Sequence, residues 1–356
     1  MTTAAQPRRV LCAGDRFITA DSLAAEATAA FGPATEIIRH ASAWPDVPFR
    51  VVDGVREAAG DPTELAALAS DAHVILTHLA PITAGLFQAA PALQVVGITR
   101  GGPVNVDLAT ATAHGVPVVF LPGRNLGAVA EFVIGAMISL TRSVPAASRG
   151  LAAGHWDSKY FRYELTGPEL RAATVGLVGL GAVGARVAQL LTGFGARVLA
   201  YDPYADPTTV QALGVELVPL AFLLGESDIV SVHARLSEET RKMFDADAFA
   251  RMRPGARFIN TARGELVDQA ALLAALDTGH LAGAALDVFD PEPPQASDPL
   301  LGRPDVLLTP HLAGASRQVA TESVQRVTAE VAAFLDTGVL QHCANPDWQA
   351  RSRHRS

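Results

Sequence analysis

Val175-Gly176-Leu177-Val178-Gly179-Leu180-Gly181-Ala182-Val183-Gly184 is the segment on which the reading of the whole chain turns. It opens with a short apolar run of the kind found in a strand buried on both faces. Glycines in the spacing GxGxxG follow directly. Beyond them Val183, Val187, Leu190, Leu191 and Phe194 recur at helical spacing, which predicts a helix over 182–194. Gly179 permits the tight turn, Gly181 lets a ligand come close to the backbone, and Gly184 lets helix pack on strand. Around Ala182 and Val183 the helix N-terminus offers free N–H groups and the positive end of its dipole to phosphates.

A glycine-rich turn alone is a weak signal, but here an acid follows at the proper place. Asp202 closes the next strand pattern, Arg197–Tyr201. A carboxylate there binds both ribose hydroxyls and repels a 2′-phosphate, so the site is expected to take a dinucleotide, and NAD over NADP.

Working outward, the same alternation runs through most of the chain. Strands are expected at 9–12, 36–39, 73–77, 94–99 and 117–121, with helical segments at 23–31, 63–70 and 107–114. The stretch 45–61, with its Pro, Gly and Asp residues, gives no clear pattern. A longer helix is expected over 126–142, and 143–171 reads mostly as loop because Pro145, Gly150, Gly154, Gly167 and Pro168 interrupt it. A second alternating block has strands at 174–178, 197–201, 229–233, 257–261, 284–288 and 306–309, with helices at 182–194, 247–252 and 269–278. Alternation of this kind means parallel strands joined by crossover helices. A last helix over 316–336 returns toward the first block.

Composition sets the outer limits. The chain has 356 residues, 49% hydrophobic and 18% charged, enough for two domains with their own cores. A formal net charge of −8 argues against a nucleic-acid partner, which needs an excess of Lys and Arg. Cys12 and Cys343 lie far apart, with no CxxC or Cys/His spacing, so no metal site is expected, and Cys12 reads as a small buried hydrophobe. The apolar stretch 132–140 is too short to cross a bilayer of ~30 Å. The opening MTTAAQPRRV lacks the apolar core of a signal peptide, and the cytoplasm is the default reading. Arg351, Arg353 and Arg355 belong to a tail, 346–356, read as flexible.

Three reactive side chains stand just past successive strand ends. Arg263 follows Phe258-Ile259-Asn260-Thr261, Glu292 follows Ala285-Leu286-Asp287-Val288, and His311 follows Leu307-Leu308-Thr309-Pro310. In an open parallel sheet, ligands bind in the crevice beyond those ends.

With these residues in view, the chain resembles the D-isomer-specific 2-hydroxyacid dehydrogenase family. The segments VGLVGLGAVG, INTARGELVD, LAGAALDVFDPEP and LLTPHLAG carry the likeness, with TRGGPVNVDLATATAHGVPV and RNLGAVAEFVIG upstream, in the family's order over roughly 70–335. The resemblance implies an α/β protein of two doubly wound parallel-sheet domains. The Rossmann-type NAD domain would cover 126–314; a smaller flavodoxin-like substrate domain would be discontinuous, 1–125 plus about 315–345. It also implies a cleft that closes on binding. The activity implied is hydride transfer between NAD(H) and a small D-2-hydroxy acid or its 2-oxo acid.

Roles follow by resemblance. Arg263 holds the substrate carboxylate and polarises the carbonyl. His311 is the general acid/base, and Glu292 orients it and favours its charged form. Asp287 matches the residue that bonds the nicotinamide carboxamide. His233 and Ala234 lie beside the adenosine half, and the backbone at Thr261, Ala262 and Gly314 approaches the cofactor. Arg100, Gly101 and Gly102 match the loop whose N–H groups hold the substrate carboxylate.

Some departures leave alternatives open. Arg235 stands where many members have proline, and it either neutralises a phosphate or alters cofactor discrimination. Arg100 adds a cation beside the substrate loop, which signals a second anionic group on the substrate or a solvated edge. His78 contacts substrate or is structural. The helix from Leu126 forms a homodimer contact or is buried between domains. Glu292 speaks against the formate-oxidising branch, which usually carries Gln there. The rival readings are an NAD(H)-sensing interaction protein on the same fold and an oxidase of a non-carbon anion such as phosphite.

Overall fold

The computed structural model describes residues 7–42 and 50–349. The tail arginines 351, 353 and 355 lie outside the described residues, as does part of the 45–61 stretch. The chain divides into two compact units. One runs up to Arg124 and resumes at Ser316; the other is Asn125–Ala315.

In the first unit the strands are β1 (Arg9–Gly14), β2 (Glu36–Ala41), β3 (Arg50–Val52), β4 (Val55–Ala58), β5 (Val74–Thr77), β6 (Val95–Ile98) and β7 (Val118–Val119). Five of them form one parallel sheet in the order β2-β1-β5-β6-β7. This is a doubly wound order whose direction reverses between β1 and β5. Side chains of β1 alternate between two cores. Val10 and Cys12 pack with Leu23, Val327 and Val331 on one face, while Leu11 and Ala13 join Ile75, Phe87 and Val96 on the other. The helix Arg317–Thr337 places Val324, Val327, Val331 and Phe334 on the first of these faces. It sits closely because Gly97 has no Cβ; one added there would come within 2.8 Å of Leu76 and 3.0 Å of Val327 and Val331. Burial pushes the Cys12 thiol up to about 12, so it behaves as an inert hydrophobe.

The second unit holds β8 (Thr174–Val178), β9 (Arg197–Tyr201), β10 (Glu216–Leu217), β11 (Ile229–Val232), β12 (Ala256–Asn260), β13 (Leu281–Leu286) and β14 (Val306–Leu308). All seven are parallel, in the order β10-β9-β8-β11-β12-β13-β14. One face packs the helices Leu126–Thr141 and Ala182–Phe194 through Val133, Met137, Val187 and Leu191. The other face is aromatic, with Phe244, Phe249 and Phe258 in contact at ring distances of 4.9–6.0 Å. Among the described residues, no single helix is long and apolar enough to cross a membrane.

Several local expectations need correction. Within the 143–171 stretch, Val144–Ala152 is helical, so the loop reading fails for that part. Pro145 lies in the first turn, where its missing N–H costs nothing, so a supposed breaker is a helix starter. The helix Pro207–Leu213 also starts at a proline, with the Asp206 carboxylate accepting the Thr208 and Thr209 N–H groups. The edge strand β10 is only two exposed residues long, too short to show a period. Part of the 45–61 stretch is a hairpin, β3 paired antiparallel to β4.

Candidate active site

The catalytic candidates ride on three neighbouring strands of the second unit. Arg263 follows β12, Glu292 lies beyond β13, and His311 follows β14, so all three leave the same end of the parallel sheet. The His311 Nδ1 lies 2.7 Å from Glu292 Oε1, and each side chain is 26% exposed. The carboxylate therefore sets the ring's orientation while the pair keeps access to solvent. His311 has a φ of +51°, a left-handed conformation that a non-glycine residue adopts only when its surroundings impose it.

Asp287 imposes it. This residue is 1% exposed and binds the loop after β14 at several points. Thr309 Oγ1 donates to its Oδ1 at 2.7 Å, the Leu312 N–H to Oδ1 at 2.8 Å, and the Ala313 N–H to Oδ2 at 2.8 Å. The His311 N–H donates to the Asp287 carbonyl at 2.9 Å. Burial raises the Asp287 carboxyl above its usual range, although these donors pull the other way.

A similar clamp holds the turn after β12. Buried Asn260 accepts the Ala262 N–H at 3.0 Å and donates to the Arg263 carbonyl at 2.8 Å. Arg263 is exposed, and its Nη1 donates to the Ala262 carbonyl at 2.7 Å. Gly264 follows because a Cβ there would meet the Phe289 carbonyl oxygen at 2.0 Å. Sequence reasoning did not single out Asn260 or Thr309. Both sit at strand ends beside residues that were named, and that position was the available signal.

The glycine turn is built for close approach. Gly179 has a φ of +99°, and a Cβ on it would press within 2.7 Å of the His233–Ala234 backbone. A Cβ on Gly184 would meet the Gly179 carbonyl oxygen at 2.1 Å, whereas one on Gly181 would meet nothing within 4 Å. Gly181 and Ala182 are exposed, Val183 is half-buried, and no side chain caps the helix Ala182–Phe194. Its first N–H groups have no side-chain partner at the cap, beside open space, and this suits a pyrophosphate. Asp202 ties into the same turn, accepting the Leu180 N–H at 2.8 Å and the Tyr204 N–H at 2.8 Å. Across the crevice, Thr261 Oγ1 is buried with no hydrogen-bond partner, a group that a ligand hydroxyl or phosphate would satisfy.

His233 bonds buried Ser231 at 3.0 Å, and burial pushes its imidazole down to about 4. Arg235 is exposed and its carbonyl accepts from Thr240. Gly314 lets Asn125 close in, since a Cβ would lie 2.4 Å from its Nδ2. The residues present thus fit a dinucleotide.

The first unit carries Arg100, Gly101 and Gly102 after β6. A Cβ on Gly102 would meet nothing within 4 Å, which leaves the backbone there open to a ligand. The solvated-edge reading of Arg100 does not hold: its side chain is 12% exposed, donates to the Glu57 carbonyl at 3.2 Å and pairs with the Glu57 carboxylate. His78 is buried, bound to Asp15 at 2.7 Å and to Arg124 at 3.2 Å. Among the described residues there is no group of three or more His, Cys, Asp or Glu able to hold a metal.

The chain resembles known proteins in sequence and fold. Residues 134–313 match the model of the D-isomer specific 2-hydroxyacid dehydrogenase, NAD binding domain. A putative 2-hydroxyacid dehydrogenase of Bacillus subtilis, YoaD, is 42% identical over 72% of this chain and 74% of that protein. The D-3-phosphoglycerate dehydrogenase of Mycobacterium bovis is 38% identical over 88% of this chain. The match spans only 55% of that relative, about half its length. The solved structure of a D-2-hydroxyisocaproate dehydrogenase superposes with a TM-score of 0.79 at 26% identity, covering 95% of this chain and 99% of the other.

Proposed function

The chain belongs to the D-isomer-specific 2-hydroxyacid dehydrogenase family, and from that membership we propose that it interconverts a small D-2-hydroxy acid and its 2-oxo acid, with His311 as general acid/base, Glu292 as its partner and Arg263 as the substrate-binding cation. NAD, when bound, supplies or accepts the hydride. The observation that carries the assignment is the 2.7 Å bond between His311 Nδ1 and Glu292. With Nδ1 committed to the carboxylate, proton exchange falls to Nε2. In reduction Nε2 protonates the carbonyl oxygen, and in oxidation it takes the hydroxyl proton. Glu292 stabilises the imidazolium that stands at one end of this cycle.

Arg263 presents a planar fork that pairs with a carboxylate and polarises the neighbouring carbonyl. The loop Arg100–Gly102 adds backbone N–H groups for the same carboxylate. Asp202 takes the ribose hydroxyls, and His233, Ala234 and Arg235 flank the adenosine. Asp287 has spent three of about four acceptor positions on the His311 loop, and the remaining one serves the carboxamide. The reading carries with it a cytoplasmic enzyme that works as a homodimer through the apolar helix Leu126–Thr141, on which Ile138 is 38% exposed.

Steady-state assay of the protein with NADH and a panel of 2-oxo acids tests the proposal. Turnover of at least one panel acid, reduced about a thousandfold in His311→Gln, is expected. Tight NADH binding with no turnover of any acid would return the protein to the sensing alternative.

A further inference from the structure

The first unit has a buried polar cluster of its own to which the roles above assign nothing. Asp15 directly follows β1, His78 directly follows β5, and Arg124 stands beyond β7, all at the C-terminal rim of the five-stranded sheet. Asp15 and His78 flank the β1/β5 gap, where the strand order reverses and where open α/β sheets take ligands.

The bonding in this cluster has a direction. Asp15 Oδ1 accepts the N–H groups of Phe17 and Ile18 at 2.8 and 2.9 Å, and Oδ2 meets His78 Nδ1 at 2.7 Å. Arg124 Nη2 lies 3.2 Å from His78 Nε2. A guanidinium can only donate, so Nε2 accepts and the ring proton sits on Nδ1, facing Asp15. His78 is therefore a neutral spacer that transmits the hold of Asp15 to Arg124. Burial lowers its imidazole, with Arg124 and Arg100 adding to the shift and Asp15 opposing it, in keeping with that state.

The chain of bonds ends at Arg124 with a donor unspent: Nη1 is buried and has no hydrogen-bonding partner. Burial, with Arg100 close by, pushes this guanidinium down to about 10. Its counter-charge Asp15 is already engaged, and the carboxylate of Glu57 is engaged by Arg100. Glu57 sits at a φ of +49°, a left-handed backbone that turns both its carbonyl and its carboxylate to Arg100. A cation fixed by its neighbours but left one partner short is a site awaiting an anion. The Leu121 N–H donates to the Arg100 carbonyl at 2.7 Å, and the Arg124 N–H donates to the Leu121 carbonyl at 3.3 Å. The carboxylate-binding loop and the segment bearing Arg124 are thus bonded together.

We infer that Arg124, positioned by Asp15 and His78, is the specificity-determining residue for a second anionic group on the substrate, making this a reductase of short dianionic 2-oxo acids. The inference rests on the reading in the preceding subsection. The 2-oxo carboxylate goes to the Arg100–Gly102 backbone, and the distal carboxylate or phosphate goes to Arg124.

The test is kcat/KM for wild type, Arg124→Gln and Arg124→Lys. Oxaloacetate and 2-oxoglutarate represent dicarboxylates, 3-phosphohydroxypyruvate a phosphate, and pyruvate and 2-oxobutyrate the monoanions. The wild type should prefer at least one dianion by about tenfold to a hundredfold. Arg124→Gln should erase that ratio through KM, and Arg124→Lys should restore part of it. Which dianion responds identifies the distal group. A wild type with no dianion preference, or a variant that loses all acids equally while NADH fluorescence titration shows it folded, overturns the inference. If Arg124→Gln does not fold, the wild-type ratio alone decides. If the wild type reduces no acid, the preceding reading fails by itself. Calorimetric titration with malonate then decides this one: saturable binding lost in Arg124→Gln supports the subsite, and its absence overturns it.

Discussion

His311 meets Glu292 at 2.7 Å through Nδ1 while its own backbone is bent to a φ of +51°. The bond and the bend have different owners. Glu292 sets the ring, and Asp287, acting from beneath, sets the chain. These two acids should therefore fail in different ways when replaced.

Glu292→Gln keeps a hydrogen-bond acceptor of the same length and removes the charge. Folding should be unaffected, because Glu292 is partly exposed and its carboxylate bonds His311 rather than the core. The hydrogen bond to a charged partner contributes on the order of 1.5–3 kcal/mol, so kcat should fall about tenfold to a hundredfold. Steady-state rates with NADH and a 2-oxo acid would check this; an unchanged kcat would remove Glu292 from its assigned role.

Asp287→Ala should damage the fold as well as the site. It strands the Thr309 hydroxyl and the Leu312 and Ala313 N–H groups. Buried donors left unpaired cost about 1–3 kcal/mol each, so a total of about 3 kcal/mol or more is expected. For a unit of this size that lowers the melting temperature by on the order of 10 °C. Calorimetry alongside kcat would show stability and rate falling together, unlike the Glu292 variant.

Much of this was legible in the residues themselves, where local pattern and tertiary role coincide. The strands at 174–178 and 197–201 and the helix at 182–194 have the expected bounds, since an unbroken apolar run and a helical period admit one reading each. His311 and Glu292 could be named because strong strands point to them. The clamps could not. Asp15 and His78 are 63 positions apart and His78 and Arg124 are 46 apart, and no period or motif links such pairs. Asn260 is an ordinary polar residue, and Asp287, expected at the carboxamide, shows no clamping role, until folding brings loop N–H groups to them. The strand-end rule, applied to the first unit as it was to the second, would have marked Asp15 and Arg124.

The glycines of the turn divide into those the fold needs and those the ligand needs. Gly184→Ala forces a Cβ to 2.1 Å from the Gly179 carbonyl oxygen, so backbone must move and thermal stability should drop by several degrees. Gly181→Ala meets nothing within 4 Å and should fold normally. Its methyl group instead occupies the approach to the uncapped helix N-terminus. NADH affinity, read by fluorescence titration, should weaken about tenfold or more. Unimpaired binding by folded Gly181→Ala would move the pyrophosphate elsewhere.

His233 supplies a pH dependence with a defined sign. Its imidazole is half-buried beside Ser231, and desolvation holds it down to about 4, against an ordinary 6.5. Between those values the unfolded chain takes up a proton that the folded site refuses. The neutral ring's contribution is thus fully present above about pH 6.5 and is lost as pH falls toward 4. The difference in pKa corresponds to up to about 3 kcal/mol. His78, in the other unit, is lowered as well and acts in the same direction. The readout is therefore the difference between wild type and His233→Asn in urea unfolding free energy at pH 7, 6, 5 and 4.5. That difference should shrink steadily toward acid, because the variant has no ring to protonate at this position. A constant difference across the window would mean that His233 is reached by protons in the folded protein, and the closed packing of the 231–234 segment against Gly179 would have to be abandoned.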